Sequence, residues 1–143
     1  MQCPLCTLDK EHLIWQNDNF SLIDVSNEDF PCYLRLITKL HVAEITDLPL
    51  ADRAQMWKLL EVLEGSIREI CHPQKINLAQ FGNMVPHVHW HITARWSDDR
   101  YFPESPFGMR QRDNFSSQTQ ERKKLTDQLL KVLPDRLNKT LSD

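Results

Sequence analysis

No run of apolar residues in this chain approaches the roughly 18 that would read as a membrane-crossing helix, so a transmembrane protein is not expected. The opening residues, Met1-Gln2-Cys3-Pro4-Leu5-Cys6, lack the basic start and long apolar stretch of a secretory leader. A cytoplasmic location is the expectation that follows. Positive charge is not in excess either: 17 Lys and Arg stand against 20 Asp and Glu, for a formal charge of −3. That balance argues against broad, sequence-independent binding to nucleic acid. It leaves room for a small nucleotide, because one phosphate site needs only local positive character. No internal repeat and no low-complexity segment interrupts the 143 residues, which are enough for one domain with a core of its own. A hydrophobic content of 41% and a charged content of 26% fit an ordinary globular protein.

Cysteine is also sparse. The four present, Cys3, Cys6, Cys32 and Cys71, do not suggest a disulfide framework in a reducing compartment. Only Cys3 and Cys6 have a suggestive spacing, and C-x-x-C reads either as half of a metal site or as a redox pair. Cys32 and Cys71 read as small buried apolar residues.

What is present is strand-like periodicity around one long helical pattern. Residues 12–16 and 19–24 alternate as two strands, and Asn17-Asp18 between them is turn chemistry, which predicts a hairpin. A third strand is expected over Tyr33-Leu34-Arg35-Leu36-Ile37-Thr38, with His41 just beyond it. From Ala51 to Cys71, the residues Met56, Leu59, Leu60, Leu63, Ile67 and Ile70 fall on one helical stripe, and Pro73 closes the helix. Residues 75–80 form a plausible fourth strand, and Gly82 to Pro86 turn into a fifth. A hydrophilic stretch follows Ala94, and 116–133 reads as a charged surface helix interrupted by Pro134. This order implies an α+β domain with a largely antiparallel five-stranded sheet.

The fifth strand carries the chemistry. It reads His87-Val88-His89-Trp90-His91-Ile92-Thr93, with histidine at alternate positions. In an extended strand residues two apart share a face, so the three imidazoles would line one side at steps of roughly 6.6 Å. Val88, Trp90 and Ile92 would face a core. Imidazole titrates near neutrality, at about 6.5, so such a row can supply a nucleophile, a proton donor or a hydrogen-bond donor to an anion. It is suited equally to holding a metal.

The run resembles the signature of the histidine triad (HIT) family, His-φ-His-φ-His-φ-φ with φ apolar. The resemblance extends from Cys3 to Arg95, covering the hairpin, the strand before His41, the long helix and the Asn77 strand. It implies a HIT-like domain over residues 1–110 and a C-terminal extension with a surface helix over 111–143. It also implies hydrolysis at the α-phosphorus of a dinucleoside polyphosphate, a nucleoside phosphoramidate or a related nucleotidyl substrate. By the family pattern His89 is the nucleophile, forming a nucleotidyl-histidine intermediate. His87 and His91 flank it as further catalytic residues, with His91 the better candidate for phosphate contact. The wider superfamily's transferases carry Gln at the third position, so His91 favours hydrolysis over transfer.

The same resemblance implies a purine nucleotide site. Asp24 would accept hydrogen bonds from the ribose hydroxyls, Leu5, Leu22 and Val25 would hold the base, and Asn77 and Asn83 would lie near the phosphates. Core packing and turn formation are the alternative roles of these residues. Two departures stand out: Tyr33 replaces a fourth family histidine, and Met84 stands where many members have Ser or Thr. Some bacterial members hold a structural zinc, and the matching residues here are Cys3, Cys6, His41 and His87. No organic cofactor is implied. A homodimer is, through paired long helices and joined sheet edges. Two other readings remain at this stage: a nucleotide-binding or scaffold protein with weak catalysis, and a metal-dependent enzyme using the three histidines as ligands.

Overall fold

The computed structural model describes residues 3–142. Strands β1 (Leu13–Gln16), β2 (Phe20–Asp24), β3 (Tyr33–Thr38), β4 (Lys75–Ala79) and β5 (His89–Arg95) form one antiparallel sheet in the order β1-β2-β3-β5-β4. Helix α1 (Leu50–Cys71) lies between β3 and β4 in the chain, and α2 (Thr119–Ser142) follows β5. This is the expected α+β architecture. No described helix is long and apolar enough to cross a membrane.

Local chemistry explains the boundaries. Asn17 makes the β1–β2 turn, its Oδ1 accepting from the backbone N–H groups of Asn19 and Phe20 at 2.9 and 2.7 Å. Helix α1 stops where His72 adopts a left-handed φ of 51° and Pro73 cannot continue the ladder.

Alternation along the strands divides the sheet into two unlike faces. On one, Leu22, Leu34, Leu36, Val88 and Ile92 are buried in a core shared with Met56, Leu59, Leu63 and Ile67 of α1. Burying each such side chain contributes about 1.5–3 kcal/mol. The other face carries Arg35 and Ile37 from β3 opposite His91 and His89 from β5. Helices cover the first face, so the second is left for chemistry.

Two expectations are corrected. Regular strand β5 begins at His89, so His87 precedes it; the His87 N–H is drawn to Val85 O at 2.8 Å instead of entering the ladder. Helix α2 has an exposed charged face but is not interrupted at Pro134, and its other face is part of the core. It runs through that residue to Ser142, and Leu129, Leu133 and Leu137 are fully buried in the main core. Their spacing of four places them on one face, and anchors on both sides of the proline hold the helix together. Thr126 Oγ1 donates to Pro31 O at 2.7 Å, and Trp15 Nε1 donates to Asn138 Oδ1 at 2.8 Å. Arg136 forks onto Glu69 of α1 at 2.8 and 3.1 Å. A proline inside a helix costs about 3 kcal/mol, which the buried leucines on either side offset.

Candidate active site and metal centre

The three histidines share a face but not an environment. His89 Nδ1 lies 2.6 Å from the carbonyl oxygen of His87. A carbonyl only accepts, so Nδ1 carries a proton, and in the neutral ring Nε2 keeps its lone pair. An imidazole held in this tautomer is a nucleophile with a fixed direction.

His91 is set up in the opposite sense. Its Nδ1 lies 2.5 Å from Tyr33 Oη. Burial, then the Arg35 cation and then His89, push its pKa down to about 4, so it is neutral at pH 7. Arg35 Nη2 reaches Tyr33 Oη at 3.4 Å, a long contact that orients the phenol to accept from the guanidinium and donate to the imidazole. Nε2 of His91 then carries the proton. One cavity thus presents a lone pair on His89 and an N–H donor on His91, whose rings lie 5.0 Å apart.

That cavity has a volume of about 480 Å³, and its other walls include Leu5, Arg35, Phe81, Asn83, Met84 and Phe107. The turn that brings Asn83 and Met84 to it depends on Gly82, whose φ of 75° suits glycine. Phe81 and Phe107 pack edge to face at 5.4 Å, and the Phe107 ring lies 5.0 Å from that of His91. Leu5 also lines a second cavity of about 350 Å³ on the same face, with Leu8, Leu13, Ser21 and Ile37.

The structure brings His89, His91, Leu5 and Asn83 together. It does not bring the other expected substrate residues to the triad cavity. Leu22 belongs to the helix-covered core and is fully buried, because strand alternation turns it away from the histidines. Asp24 Oδ1 accepts from the Ser26 N–H at 3.0 Å, as a turn residue does, and Val25 donates its N–H to Tyr33 O. Asn77 Oδ1 is engaged by Arg95 Nη1 at 2.8 Å and lines a neighbouring groove. The His87 side chain is withdrawn as well: it is fully buried, and both ring nitrogens are engaged elsewhere. It acts on the site through its carbonyl, as a positioning residue for His89.

His87 belongs instead to a compact group with Cys3, Cys6 and His41, whose donor atoms all lie within 4.8 Å of one another. Nδ1 of His87 is 3.3 Å from Cys3 Sγ, 3.6 Å from Cys6 Sγ and 3.2 Å from Nδ1 of His41; Cys6 Sγ is 3.2 Å from His41 Nδ1. Tetrahedral zinc with ordinary bond lengths needs ligand separations of about 3.3 Å between nitrogens and about 3.6 Å between nitrogen and sulfur. The donor set therefore fits. Nε2 of His87 donates to Thr38 O at 2.6 Å, which leaves a lone pair on Nδ1 facing the His41 ring. Such an N–H to carbonyl bond is the usual way a ligating imidazole is oriented. These four residues could hold a metal ion.

Residues that sequence reasoning did not select are Arg35, Phe81 and Phe107. Arg35 had a legible signal, being the one charged residue in an alternating strand. Phe107 had none, because it lies beyond the histidine strand in a hydrophilic stretch.

The depressed pKa of His91 has a consequence for stability. The group is neutral in the fold down to about pH 4 but binds a proton near pH 6.5 when unfolded. The unfolded state therefore gains protons first as pH falls, and stability present above pH 6.5 is lost between there and pH 4. The groups facing His91 are Arg35, Tyr33, His89 and the rings of Phe81 and Phe107. None of them is a carboxylate that would stabilise its charge. Between pH 7 and 4.5 the wild type should lose roughly 2 kcal/mol more than His91→Asn, read from urea unfolding. Parallel pH curves for the two proteins would contradict this.

Comparison with known proteins identifies the family and the fold. The family model of the HIT domain matches residues 8–98. Solved structures similar to this chain include a histidine triad protein from Marinobacter aquaeolei VT8, 20% identical with a TM-score of 0.72, covering 92% of this chain and 97% of that one. Another, from Bradyrhizobium japonicum, is 23% identical with a TM-score of 0.68 and covers 87% of this chain and 95% of its own. A zinc-bound histidine triad family protein from Mycobacterium smegmatis is 20% identical with a TM-score of 0.52, covering 91% and 86%. No curated protein matches in sequence.

Proposed function

Because this chain belongs to the HIT domain family, whose members are nucleotide-binding proteins and hydrolases, we propose that it hydrolyses a nucleotidyl substrate at the α-phosphorus. The observation that carries this reading is the pairing of a directed lone pair on His89 with a proton-bearing, neutral His91 in one cavity. Nε2 of His89 attacks phosphorus, forming an N–P bond as the bond to the leaving group breaks; a phosphate or carboxylate departs as its anion, and an amine takes up a proton from solvent and departs neutral. The positive charge that develops on the imidazole is shared with the His87 carbonyl through Nδ1–H. His91 donates to a non-bridging phosphoryl oxygen, where negative charge accumulates. Water then attacks phosphorus, the N–P bond breaks, and a proton leaves to solvent, restoring His89.

The substrate is a dinucleoside polyphosphate, a nucleoside phosphoramidate or an aminoacyl-adenylate, with a purine base held near Leu5, where the two cavities of the open face meet. Asn83, which lines the same cavity, donates its amide to a phosphate. Cys3, Cys6, His41 and His87 hold one zinc ion. When bound, the metal supplies structural cross-linking alone, since four protein ligands leave no open position. The chain pairs as a homodimer through α1, where Leu50 and Trp57 leave apolar surface exposed.

A panel of these three substrates, followed by release of phosphorus-containing product and by trapping of labelled nucleotide on denatured protein, tests the reading. Turnover of at least one, with acid-labile label on the protein, is expected. Failure of all three, with no label, overturns it. Nucleotide binding without turnover would favour a scaffold of the same fold.

A further inference from the structure

We propose that Arg35 binds a phosphate of the leaving group and so selects substrates whose leaving group is itself a phosphate chain. The inference rests on the hydrolase reading above and narrows its substrate. Arg35 is level with His91 across the β3–β5 ladder and lines the cavity that His89 and His91 open into. It is half-buried, and it makes no ion pair among the described residues. Its Nε is buried without a hydrogen-bond partner, and among the described residues its hydrogen-bonding and cation–π contacts are confined to the 3.4 Å approach of Nη2 to Tyr33 Oη and the face of the Tyr33 ring at 5.5 Å.

The other arginines buried or half-buried near the sheet are treated differently. Arg95 is fully buried, and its donors are taken by Asp99, Asn77 and the carbonyl of Glu104. Arg100 and Arg122 are fixed by Asp29 and Asp98. A guanidinium is always charged, and withdrawing one from water without an anion is costly. Arg35 therefore stands where an anion is supplied from outside the chain.

Its position decides which anion. The α-phosphoryl group sits between the His89 lone pair and the His91 N–H, and its developing charge already has a donor. The guanidinium lies on the adjacent strand, beside His91 and one step away from the nucleophile. Its fork of donors is thus available to the next phosphate in a chain. A phosphoramidate, whose leaving amine carries no negative charge, offers that fork nothing. Arg35 itself takes no proton and forms no bond in the chemical step.

The test compares wild type, Arg35→Met and Arg35→Lys on a dinucleoside polyphosphate and a nucleoside phosphoramidate, with thermal unfolding to confirm folding. Binding of ATP and of AMP is measured in parallel, because it does not require turnover. In Arg35→Met the ratio of kcat/KM for polyphosphate to that for phosphoramidate should fall about 10- to 100-fold. The preference for ATP over AMP should shrink by a similar factor, and Arg35→Lys should restore part of both. If both substrates fall together, or neither falls, and ATP and AMP are affected equally, Arg35 serves only to orient Tyr33 and His91, and the proposal is overturned. Absence of turnover and of label in the wild type would fell the hydrolase reading, while the ATP and AMP measurements would still decide whether Arg35 holds a second phosphate.

Discussion

His89→Ala should lower kcat by about four orders of magnitude or more on whichever nucleotidyl substrate the wild type turns over, and should abolish covalent labelling. The size of the effect follows from what the side chain does. Without it the reaction must proceed by direct attack of water on phosphorus, and the two easier displacements become one difficult one. His91 and Arg35 remain in place, so binding of substrate should survive far better than turnover. The fold should tolerate the change: His89 lies on the open face of the sheet against the cavity, away from the core under α1 and α2. Its loss enlarges an existing hollow, and an unfolding midpoint within a few degrees of wild type is the expected control. Residual activity above about 1% of wild type, in protein shown free of wild-type contamination, would mean that His89 is not the nucleophile.

Chelation of the metal, or His41→Asn, should lower the unfolding midpoint by about 10 °C and release one zinc ion per chain, read by calorimetry and elemental analysis. His41 is the informative ligand to replace because it takes no part in the triad. The cluster joins the segment bearing Cys3 and Cys6 to residues 41 and 87, which are far apart in sequence. Once the metal is gone, the His87 ring keeps its 2.6 Å bond to Thr38 O but is no longer tied to the other three ligands. Since the His87 carbonyl orients His89, turnover should also drop, by about 10- to 100-fold, the range usual when groups supporting a metal site are lost. Thiolates and imidazoles bind protons in competition with metal, so the metal should be released more readily as the pH falls. Protein that carries no zinc as purified, binds none on titration, and unfolds identically with and without chelator would refute this.

The triad strand, the hairpin at Asn17-Asp18 and the long helix were legible because each is encoded locally. Alternating apolar residues, a turn-forming asparagine and a stripe at helical spacing act over a few residues, and the structure places the hairpin and the helix where periodicity expected them and the triad strand from His89 onward. The Cys3, Cys6, His41 and His87 group was legible only through family resemblance, since nothing in the spacing of 3, 6, 41 and 87 requires the four to meet. Helix α2 was misjudged at Pro134 because local propensity disfavours proline within a helix, while burial of Leu129, Leu133 and Leu137 outweighs it. Asp24, Leu22, Val25 and Asn77 were expected at the substrate from the family resemblance. Which partner engages a side chain, as Arg95 engages Asn77, depends on tertiary contacts that no single strand reveals.

By itself the sequence determined most of the secondary elements and the chemical capacity of the site, because periodicity and residue type act at short range. The tertiary structure decided how that capacity is divided. Pairing of β3 with β5 places Arg35 beside His91 and Tyr33 on its ring nitrogen, and the approach of the N-terminal segment draws the His87 ring out of the active site. The return of the chain after β5 sets Phe107 against His91. These are contacts between residues distant in sequence, and they exist only once the core under α1 and α2 has fixed the sheet that carries them.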